Sequence, residues 1–272
     1  ANHIMSWPSP WGDGFPGWHI ECSAMSMKYL GETIDIHAGG MDHIPIHHEN
    51  EIAQSEAATG KVFARFWFHN NFLKVDGAKM SKSLSNFYTI EDIRKKGVDV
   101  LSLRYLFLQS HYRQTLNFTD ESLKAADEAF KKLKEHIITL RKQSQRTILS
   151  PEKLEKLNSF KKDFIEAISN DLNIPKALSI LWLVIKSNIP SLDKLDLIFD
   201  FDQVFGLKLN QIEEEKIPDY IIKLAQERLT LRKKGDFIAA DEIRKKIWEN
   251  GFEIYDTPQS FKIKKRNPIK SS

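Results

Sequence analysis

Cysteine is almost absent from this chain, because Cys22 is the only one among 272 residues. A single thiol excludes an internal disulfide and fits the reducing environment of the cytosol. In such a compartment a lone cysteine is either buried filler or a metal ligand. Cys22 therefore needs an explanation of its own.

Long apolar runs are also missing. No stretch is apolar over the length needed to span a bilayer, and no basic segment followed by an apolar one marks a signal peptide. With 41% hydrophobic and 28% charged residues, the composition is that of a globular protein. We expect a cytoplasmic protein without a membrane partner, and its length favours two or more compact units.

Positive charge is scarce at one end only. Residues 1–56 carry eight acidic side chains and a single lysine, Lys28, together with six of the nine histidines. Residues 216–272 carry fourteen lysines and arginines against eight acidic side chains. A basic end of this kind suggests a polyanionic partner, although solvated lysine tails are equally common on charge alone.

The pattern of the first sixty residues is that of an α/β protein. After a loop rich in proline, glycine and tryptophan, a short helix is predicted over residues 22–30. The segment ETIDIHAGG predicts a buried strand that runs into a glycine turn, and residues 46–59 predict a helix with Pro45 at its start. These elements make half of an α/β unit, and no second half is visible in the sequence.

Beyond residue 87 the pattern is helical almost to the end. Apolar residues spaced by three and four predict a long helix after Thr119 and a second helix that starts at Pro151. After the break NDLNIP, the segment KALSILWLVIKS is apolar nearly all round, as the central helix of a bundle should be. Two further helices and a short strand, FEIYDTP, are predicted within residues 217–272.

His47 and Glu51 form the first candidate site. On the predicted helix they stand at positions i and i+4, so both side chains project from one face. An imidazole and a carboxylate at that spacing can share a zinc ion with the thiolate of Cys22, whereas His48 and Asn50 point elsewhere. A surface hydrogen bond is the alternative, and the residues alone leave both open. Three ligands would leave one coordination position open toward a substrate.

The segment VDGAKMSKSLSNF is the most specific feature of the sequence. Lys79 and Lys82 lie in a loop with serine and glycine, and two ammonium groups three residues apart can neutralise the charge on a leaving pyrophosphate. The pentapeptide KMSKS at residues 79–83, preceded by Asp76 and Gly77, resembles the signature loop of class I aminoacyl-tRNA synthetases.

Further segments resemble one family within that class, the cysteinyl-tRNA synthetases, from the first residues to the last. They are PGWHIECSAM, DIHAGG, HHENEIAQSEAATG, KMSKSLSNF, SHYRQTLNF and NDLNIPKAL. The resemblance implies an α/β, Rossmann-like catalytic part in residues 1–64 and a stem-contact region with the lysine loop in residues 65–126. It also implies a mostly α-helical bundle in residues 127–212 and a small α/β anticodon-binding domain in residues 213–272.

The same resemblance implies which residues act. Cys22, His47 and Glu51 would bind one zinc ion per subunit, and Trp18 and His37 would line the pocket for cysteine. Zinc binds a thiolate well at neutral pH, whereas the hydroxyl of serine does not ionise. Such a test of sulfur against oxygen can make editing unnecessary.

The implied reaction has two steps. The carboxylate of cysteine attacks the α-phosphorus of ATP to give cysteinyl-adenylate and pyrophosphate, with Mg²⁺, Lys79 and Lys82 stabilising the phosphate charge. The cysteinyl group then passes to the terminal ribose of tRNA(Cys). Lys82 is the expected ATP-binding residue, no general base is nominated, and a monomer is expected.

The chain departs from the family pattern in one large respect. The family's catalytic domain begins with a segment that carries a fourth zinc ligand, a cysteine, and a His-x-Gly-His motif, and this chain has neither. It therefore resembles a C-terminal portion of the enzyme, and we expect that it does not activate cysteine by itself. A smaller departure is Ser85, where the family usually has glycine. The role of His43 stays open, and we favour a structural one.

The basic end supplies the candidates for contact with tRNA. Four basic side chains would contact phosphates and two further polar ones would read base edges in an unstacked loop. The residues are, in that order, Arg228, Arg232, Lys234, Arg244, Asp256 and Gln259.

Two other functions remain open. The cysteine ligase of mycothiol synthesis resembles the same catalytic domain and joins cysteine to an amino sugar, but it lacks a long tRNA-anchoring end. This chain continues nearly 190 residues beyond Ser83. A tRNA-binding module without catalysis is the second possibility, favoured by the missing ATP motif. Charging of tRNA or of the amino sugar separates the two ligases, and the missing N-terminal segment in the same gene would exclude the module.

Overall fold

Two units divide the chain in the computed structural model. Unit 1 comprises Ala1–Asn86 and Ser110–Thr119, and unit 2 comprises Phe87–Gln109 and Asp120–Ser272. The residues that the structure describes are 5–143, 145–214, 217–257 and 260–265.

A pair of parallel strands organises unit 1. Along the chain come α1 (His19–Leu30), β1 (Ile34–Gly40), α2 (Glu49–Thr59) and β2 (Ala64–Asn70). β1 and β2 are parallel with Ile36 opposite Phe66, so β1, α2 and β2 form a complete βαβ unit. The second half of this α/β unit, which was not visible in the sequence, is therefore supplied by β2. The sequence of β2, ARFWFHN, mixes polar and aromatic side chains on both faces and hides the period of two that marks a strand.

The helix predicted from Pro45 begins irregularly. Met41–His43 forms a 3₁₀ turn, Ile44–His48 forms a π-helical turn, and the regular helix α2 starts at Glu49. Pro45 lies at the start of the π turn, where its missing N–H costs no hydrogen bond. A π turn closes i to i+5 hydrogen bonds, and such turns are frequent at functional sites.

A small second sheet in unit 1 carries the lysine loop. Its strands are β3 (Leu73–Val75), β4 (Ala78–Lys79) and β5 (Leu116–Phe118), in the order β4-β3-β5. β3 is antiparallel to β4 and parallel to β5. The two residues between β3 and β4, Asp76 and Gly77, both have positive φ angles, of 49° and 79°. This is the conformation of a type I′ hairpin turn, which the dipeptide Asp-Gly favours.

Unit 2 begins as a helical bundle. Its helices are α3 (Ile90–Lys95), α4 (Val100–Leu108), α5 (Asp120–Arg141), α6 (Pro151–Ser169), α7 (Ile174–Lys186) and α8 (Ser191–Phe205). The predicted helices after Thr119, from Pro151 and after NDLNIP are confirmed as α5, α6 and α7. Leu133 and Ile137 of α5 are fully buried, as is Leu181 of α7, while Leu183 on the outer face of α7 is 54% exposed. The bundle core therefore lies along one stripe of each helix.

The end of unit 2 is a small α/β part. It consists of α9 (Asp219–Lys234), α10 (Phe237–Glu249), β6 (Phe252–Asp256) and β7 (Phe261–Lys265), with β6 and β7 antiparallel. Ile221, Ala225 and Ile247 are fully buried between the helices and the hairpin. The strand predicted in FEIYDTP is confirmed as β6, whereas β7 was not expected from the sequence.

The mixed α/β composition of the chain matches the predicted fold class. The division into four segments at residues 64, 126 and 212 remains a prediction. Within the described part of the chain, no helix combines the length and the apolar character needed to cross a bilayer.

Candidate metal centre and lysine loop

A buried carboxylate, Glu51, stands between two groups of side chains. Its exposed fraction is 0%, and each oxygen faces a different group. The Nε2 of His37 lies 2.7 Å from Oε2 and donates a hydrogen bond to it, because an ionised carboxylate can only accept. The Nε2 of His47 lies 3.6 Å from Oε1. Glu51 thus connects β1 to the turn that precedes α2.

The predicted metal ligands come together at the carboxylate of Glu51. Cys22 comes from α1, His47 from the π turn and Glu51 from the first turn of α2, and one ligand atom from each lies within 4.8 Å of the others. Oε1 of Glu51 and Nδ1 of His47 are buried and have no hydrogen-bond partner among the described residues. A buried polar atom without a partner costs about 1–3 kcal/mol, so the donor set and its unsatisfied atoms fit a bound cation.

The surroundings shift the pKa values of Cys22 and His47. Burial raises the pKa of the Cys22 thiol, and the nearby carboxylate of Glu51 raises it further. Burial lowers the pKa of His47, although Glu51 opposes that shift. The imidazole is therefore in the neutral form that coordinates metals, whereas the thiol must lose its proton when a metal binds.

His48 lies on the Oε2 side of Glu51 and is not part of the group formed by Cys22, His47 and Glu51. It is 4% exposed, and its Nε2 lies 3.9 Å from Oε2 of Glu51. With His37 and Glu51 it forms a second group whose ligand atoms all lie within 4.8 Å of one another. The sequence had placed His48 outside the set of Cys22, His47 and Glu51, and the two groups agree with this.

Two residues around His48 were not expected from the sequence. The Nδ1 of His48 lies 2.8 Å from the Nε2 of His69, at the carboxyl end of β2. A side chain on Gly39 would place its Cβ 2.7 Å from the His48 ring, so only glycine allows the ring to approach β1 so closely. Burial, followed by His37, His69 and other histidines, lowers the pKa of His48 to about 4. Histidine at the carboxyl end of a parallel strand was the signal available for His69.

The predicted pocket residues border the metal ligands. The ring of Trp18 stacks on that of His47, with centroids 3.5 Å apart and planes inclined by 24°, and Trp18 remains 55% exposed. His37, the other predicted pocket residue, contacts Oε2 of Glu51. The ring of His43 lies 5.1 Å from that of His47 and 5.6 Å from that of Trp18, an arrangement compatible with the favoured structural role.

The lysine loop is held in place at its base. The N–H of Ser81 donates to the side-chain Oδ1 of Asn86 at 2.8 Å, and the Nδ2 of Asn86 donates to the carbonyl of Lys79 at 3.1 Å. Lys79 and Lys82 are both exposed. Ser85 has a φ of 53°, in the left-handed region that favours glycine, which explains why glycine is usual there in the family.

Three of the predicted tRNA-binding residues form an ion-pair cluster in the small α/β part. Arg228 is 1% exposed and donates hydrogen bonds of 2.6 and 3.0 Å to the two carboxylate oxygens of Asp256. Arg232 lies 3.7 Å from the same carboxylate. This arrangement does not favour a phosphate contact by Arg228, because its guanidinium is buried and already paired. Lys234 and Arg244 are exposed.

Gln259, the other residue predicted to read a base edge, lies outside the described residues.

The hydrogen bonds from Arg228 hold the pKa of Asp256 below its usual value, and Arg232 and Arg244 add to the effect. The carboxylate of Asp256 is therefore engaged within the protein and organises the basic residues around it.

Comparison with known proteins identifies relatives of the chain. Residues 1–128 match the family model of the tRNA synthetases class I (C) catalytic domain. The chain is 43% identical to the cysteine–tRNA ligase of Caldicellulosiruptor saccharolyticus, in an alignment that covers 96% of the chain and 59% of that enzyme. It is 42% identical to cysteine–tRNA ligase 1 of Burkholderia lata, with 95% of the chain aligned to 54% of the relative. The chain thus spans little more than half the length of these curated relatives.

Among solved structures, the chain resembles the LeuRS of Agrobacterium radiobacter K84, crystallised in a ternary complex with tRNA and LeuAMS. The TM-score is 0.54 at 15% identity, and the match covers 75% of this chain and 32% of that one. At this identity the likeness concerns the fold alone, and it agrees with the predicted class I synthetase fold.

The ion pair of Asp256 leads to a pH-dependent stability. Asp256→Asn should lower the unfolding free energy by about 1–2 kcal/mol at neutral pH, a low value because solvent screens a half-exposed carboxylate. Since the folded-state pKa lies below the unfolded value of about 3.9, this contribution is present above that value and is lost as the pH falls through the folded-state pKa. Thermal denaturation of the variant and the wild type across acidic pH values measures the difference.

The matched control is Asp241→Asn, since Asp241 is an exposed carboxylate of α10 that forms no ion pair within the described residues. This variant should melt like the wild type at every pH. A loss of stability in Asp256→Asn that stays constant down to the lowest pH would contradict the ion-pair explanation.

Proposed function

Because the chain is related to the cysteine–tRNA ligases along almost its whole length, we propose that it belongs to an ATP-dependent ligase that joins cysteine to tRNA(Cys). It supplies the metal site, the lysine loop and the tRNA-binding parts of that ligase. The observation that carries the proposal is the convergence of Cys22, His47 and Glu51 on one buried point. The lysine loop in the same unit supports it independently.

We assign Cys22, His47 and Glu51 as the protein ligands of one zinc ion per subunit. When bound, zinc would offer an open position for the thiolate of substrate cysteine and so discriminate against serine. The residues around the ligands prepare the site for this role. The hydrogen bond from His37 fixes the carboxylate of Glu51, and the stacked ring of Trp18 holds His47 and covers one side of the pocket.

The lysine loop serves the activation of cysteine. The cysteine carboxylate attacks the α-phosphorus of ATP, the bond to the bridging oxygen breaks, and Mg²⁺–pyrophosphate leaves as cysteinyl-adenylate forms. Lys79 and Lys82 stabilise the charge that moves onto the pyrophosphate, and Lys82 contacts ATP. Asn86 keeps the two ends of the loop together so that both ammonium groups are presented by one rigid base.

The second step transfers the cysteinyl group to the terminal ribose of tRNA(Cys). We propose that Arg232, Lys234 and Arg244 contact tRNA phosphates, with Arg228 and Asp256 forming the scaffold that orients them. The bundle and the small α/β part favour this function over ligation of cysteine to an amino sugar, which needs no tRNA-binding end. We expect the enzyme to act as a monomer in the cytoplasm, where proteins are made.

An exposed apolar face in unit 1 supports the proposal that this chain alone is inactive. Ile36 of β1 and Phe66 of β2 are paired neighbours on the same face, and they are 67% and 69% exposed. Parallel sheets are normally covered on both faces. The relatives are longer than this chain, and we propose that such additional sequence covers this face and that this chain alone does not activate cysteine. A non-catalytic tRNA-binding module would not need the metal ligands or the lysine loop.

The zinc assignment predicts the result of removing the thiol. Cys22→Ser should weaken zinc binding by on the order of 100-fold or more, because one of three protein ligands is lost. Zinc affinity, measured by competition with a chromogenic chelator, tests this without any activity assay. Ser26→Ala in the same helix is the control and should retain about one zinc per chain. Unchanged affinity in Cys22→Ser would refute the ligand assignment.

The tRNA assignment predicts a change in salt dependence. Charge reversal at Arg232 and Arg244 should weaken tRNA(Cys) binding and reduce the slope of log affinity against log salt by about 1.5, since two phosphate contacts are lost. Filter binding at several salt concentrations measures both quantities. The control variant, Lys28→Glu with Lys61→Glu, changes the net charge equally in unit 1. An unchanged slope in the arginine variant would exclude the proposed basic face.

The activity itself is tested by supplying the missing part. The 272-residue chain should show no cysteine-dependent ATP–pyrophosphate exchange, whereas a fusion with the N-terminal segment of the Caldicellulosiruptor saccharolyticus enzyme should charge tRNA(Cys). A normal exchange rate from the chain alone would contradict the proposed incompleteness. A fusion that charges an amino sugar instead of tRNA would contradict the proposed acceptor.

A further inference from the structure

The hairpin that carries the lysine loop opposes two lysines directly. Lys74 of β3 pairs with Lys79 of β4 in the antiparallel ladder. Side chains of directly opposite residues project from the same face of a sheet, with their Cβ atoms about 4.5–5.5 Å apart. Unlike Lys79 and Lys82, Lys74 belongs to no sequence motif, because its position depends on the strand pairing.

The strand register that brings Lys74 opposite Lys79 is fixed on both sides. The type I′ turn at Asp76 and Gly77 sets the pairing of β3 with β4. The N–H of Gly77 donates to Oδ1 of Asn117 at 2.7 Å, which ties the turn to β5. Val75, the neighbour of Lys74, is 1% exposed, so a slip by one residue would bury a lysine in place of a valine. Lys74 therefore cannot turn away from Lys79 by a change of register.

The two ammonium groups are not neutralised by any described acid. Neither Lys74 nor Lys79 forms an ion pair with a carboxylate in the part of the chain that the structure describes. Like charges placed directly opposite each other destabilise a strand pair. The electrostatic cost disappears when a multiply charged anion lies between the two side chains. The arrangement therefore favours an anionic ligand at this face of the hairpin.

We propose that Lys74 is a third phosphate-binding residue, which acts with Lys79 and Lys82 on the pyrophosphate portion of a polyphosphate ligand. This inference rests on the proposed function of the lysine loop and adds a residue to it. Lys74 lies on a paired strand, whereas Lys82 lies in the loop beyond the hairpin. The paired strands thus fix the positions of Lys74 and Lys79, whereas the position of Lys82 depends on the conformation of the loop.

The proposal predicts effects of opposite sign on stability and on binding. Lys74→Met should weaken the affinity of the 272-residue chain for inorganic pyrophosphate with Mg²⁺ by about threefold to fivefold, the effect of one exposed charge pair at low salt. Without pyrophosphate, the same variant should melt at the wild-type temperature or slightly above it, because a like-charge contact is removed. Isothermal titration calorimetry and thermal denaturation measure the two quantities.

The control is an exposed lysine on a comparable hairpin. Lys262 of β7 lies opposite Tyr255 rather than opposite another lysine, so Lys262→Met should change neither pyrophosphate affinity nor melting by the mechanism proposed for Lys74. Lys74→Arg keeps the positive charge and should bind pyrophosphate like the wild type. If Lys74→Arg loses binding as Lys74→Met does, the effect is structural and the proposal is overturned.

Lys79→Met and Lys82→Met separate this inference from the proposed function. If both weaken pyrophosphate binding and Lys74→Met does not, Lys74 has no part in the site, while the role of the loop stands. If none of the three variants weakens binding, or if the wild-type chain shows no saturable binding, both the inference and the phosphate-binding role of the loop are overturned. Weaker binding in all three, with Lys74→Met folded and stable, supports the third cation.

Discussion

The burial of Glu51 is the constraint on which the rest of unit 1 depends. A carboxylate with no exposure is tolerated only when its charge is paired or bound to a cation. One oxygen is satisfied by His37 from β1, and the other lies 3.6 Å from His47 and has no hydrogen-bond partner among the described residues. The folding of the βαβ unit therefore also assembles the proposed zinc site, because the elements that bury Glu51 carry the residues that contact it.

The lysine loop follows the same principle with charge of the opposite sign. A tight Asp-Gly turn and the side chain of Asn86 fix the base of the loop, and the strand register places Lys74 opposite Lys79 with no described acid to balance them. Within the described residues of one unit, the protein thus holds an unsatisfied acceptor at one place and an unbalanced pair of cations at another. Chemistry that needs a metal and a polyphosphate accounts for both.

The sequence predicted the regular parts of the fold well. The sequence predicted α5, α6 and α7 because apolar residues at spacings of three and four indicate a buried stripe along a helix. β2 was not predicted, since a short strand with polar and apolar side chains on both faces shows no period of two. β7 was missed although Phe261 and Ile263 alternate with lysines along it. The π turn that precedes α2 was also missed, because its i to i+5 bonds depend on packing and not on a residue pattern.

The sequence alone determined which residue types are available for the chemistry of this protein. The KMSKS loop named the candidate phosphate-binding lysines, and the single cysteine with the His-Glu spacing named the candidate ligands while a surface hydrogen bond stayed open as the alternative. Tertiary structure decided the partners. His48 came to lie beside His37 and Glu51, Arg228 turned inward to Asp256, and Lys74 came to oppose Lys79. The physical reason is that a side chain's ionic environment is set by neighbours distant in sequence, which only the folded chain brings within a few ångströms.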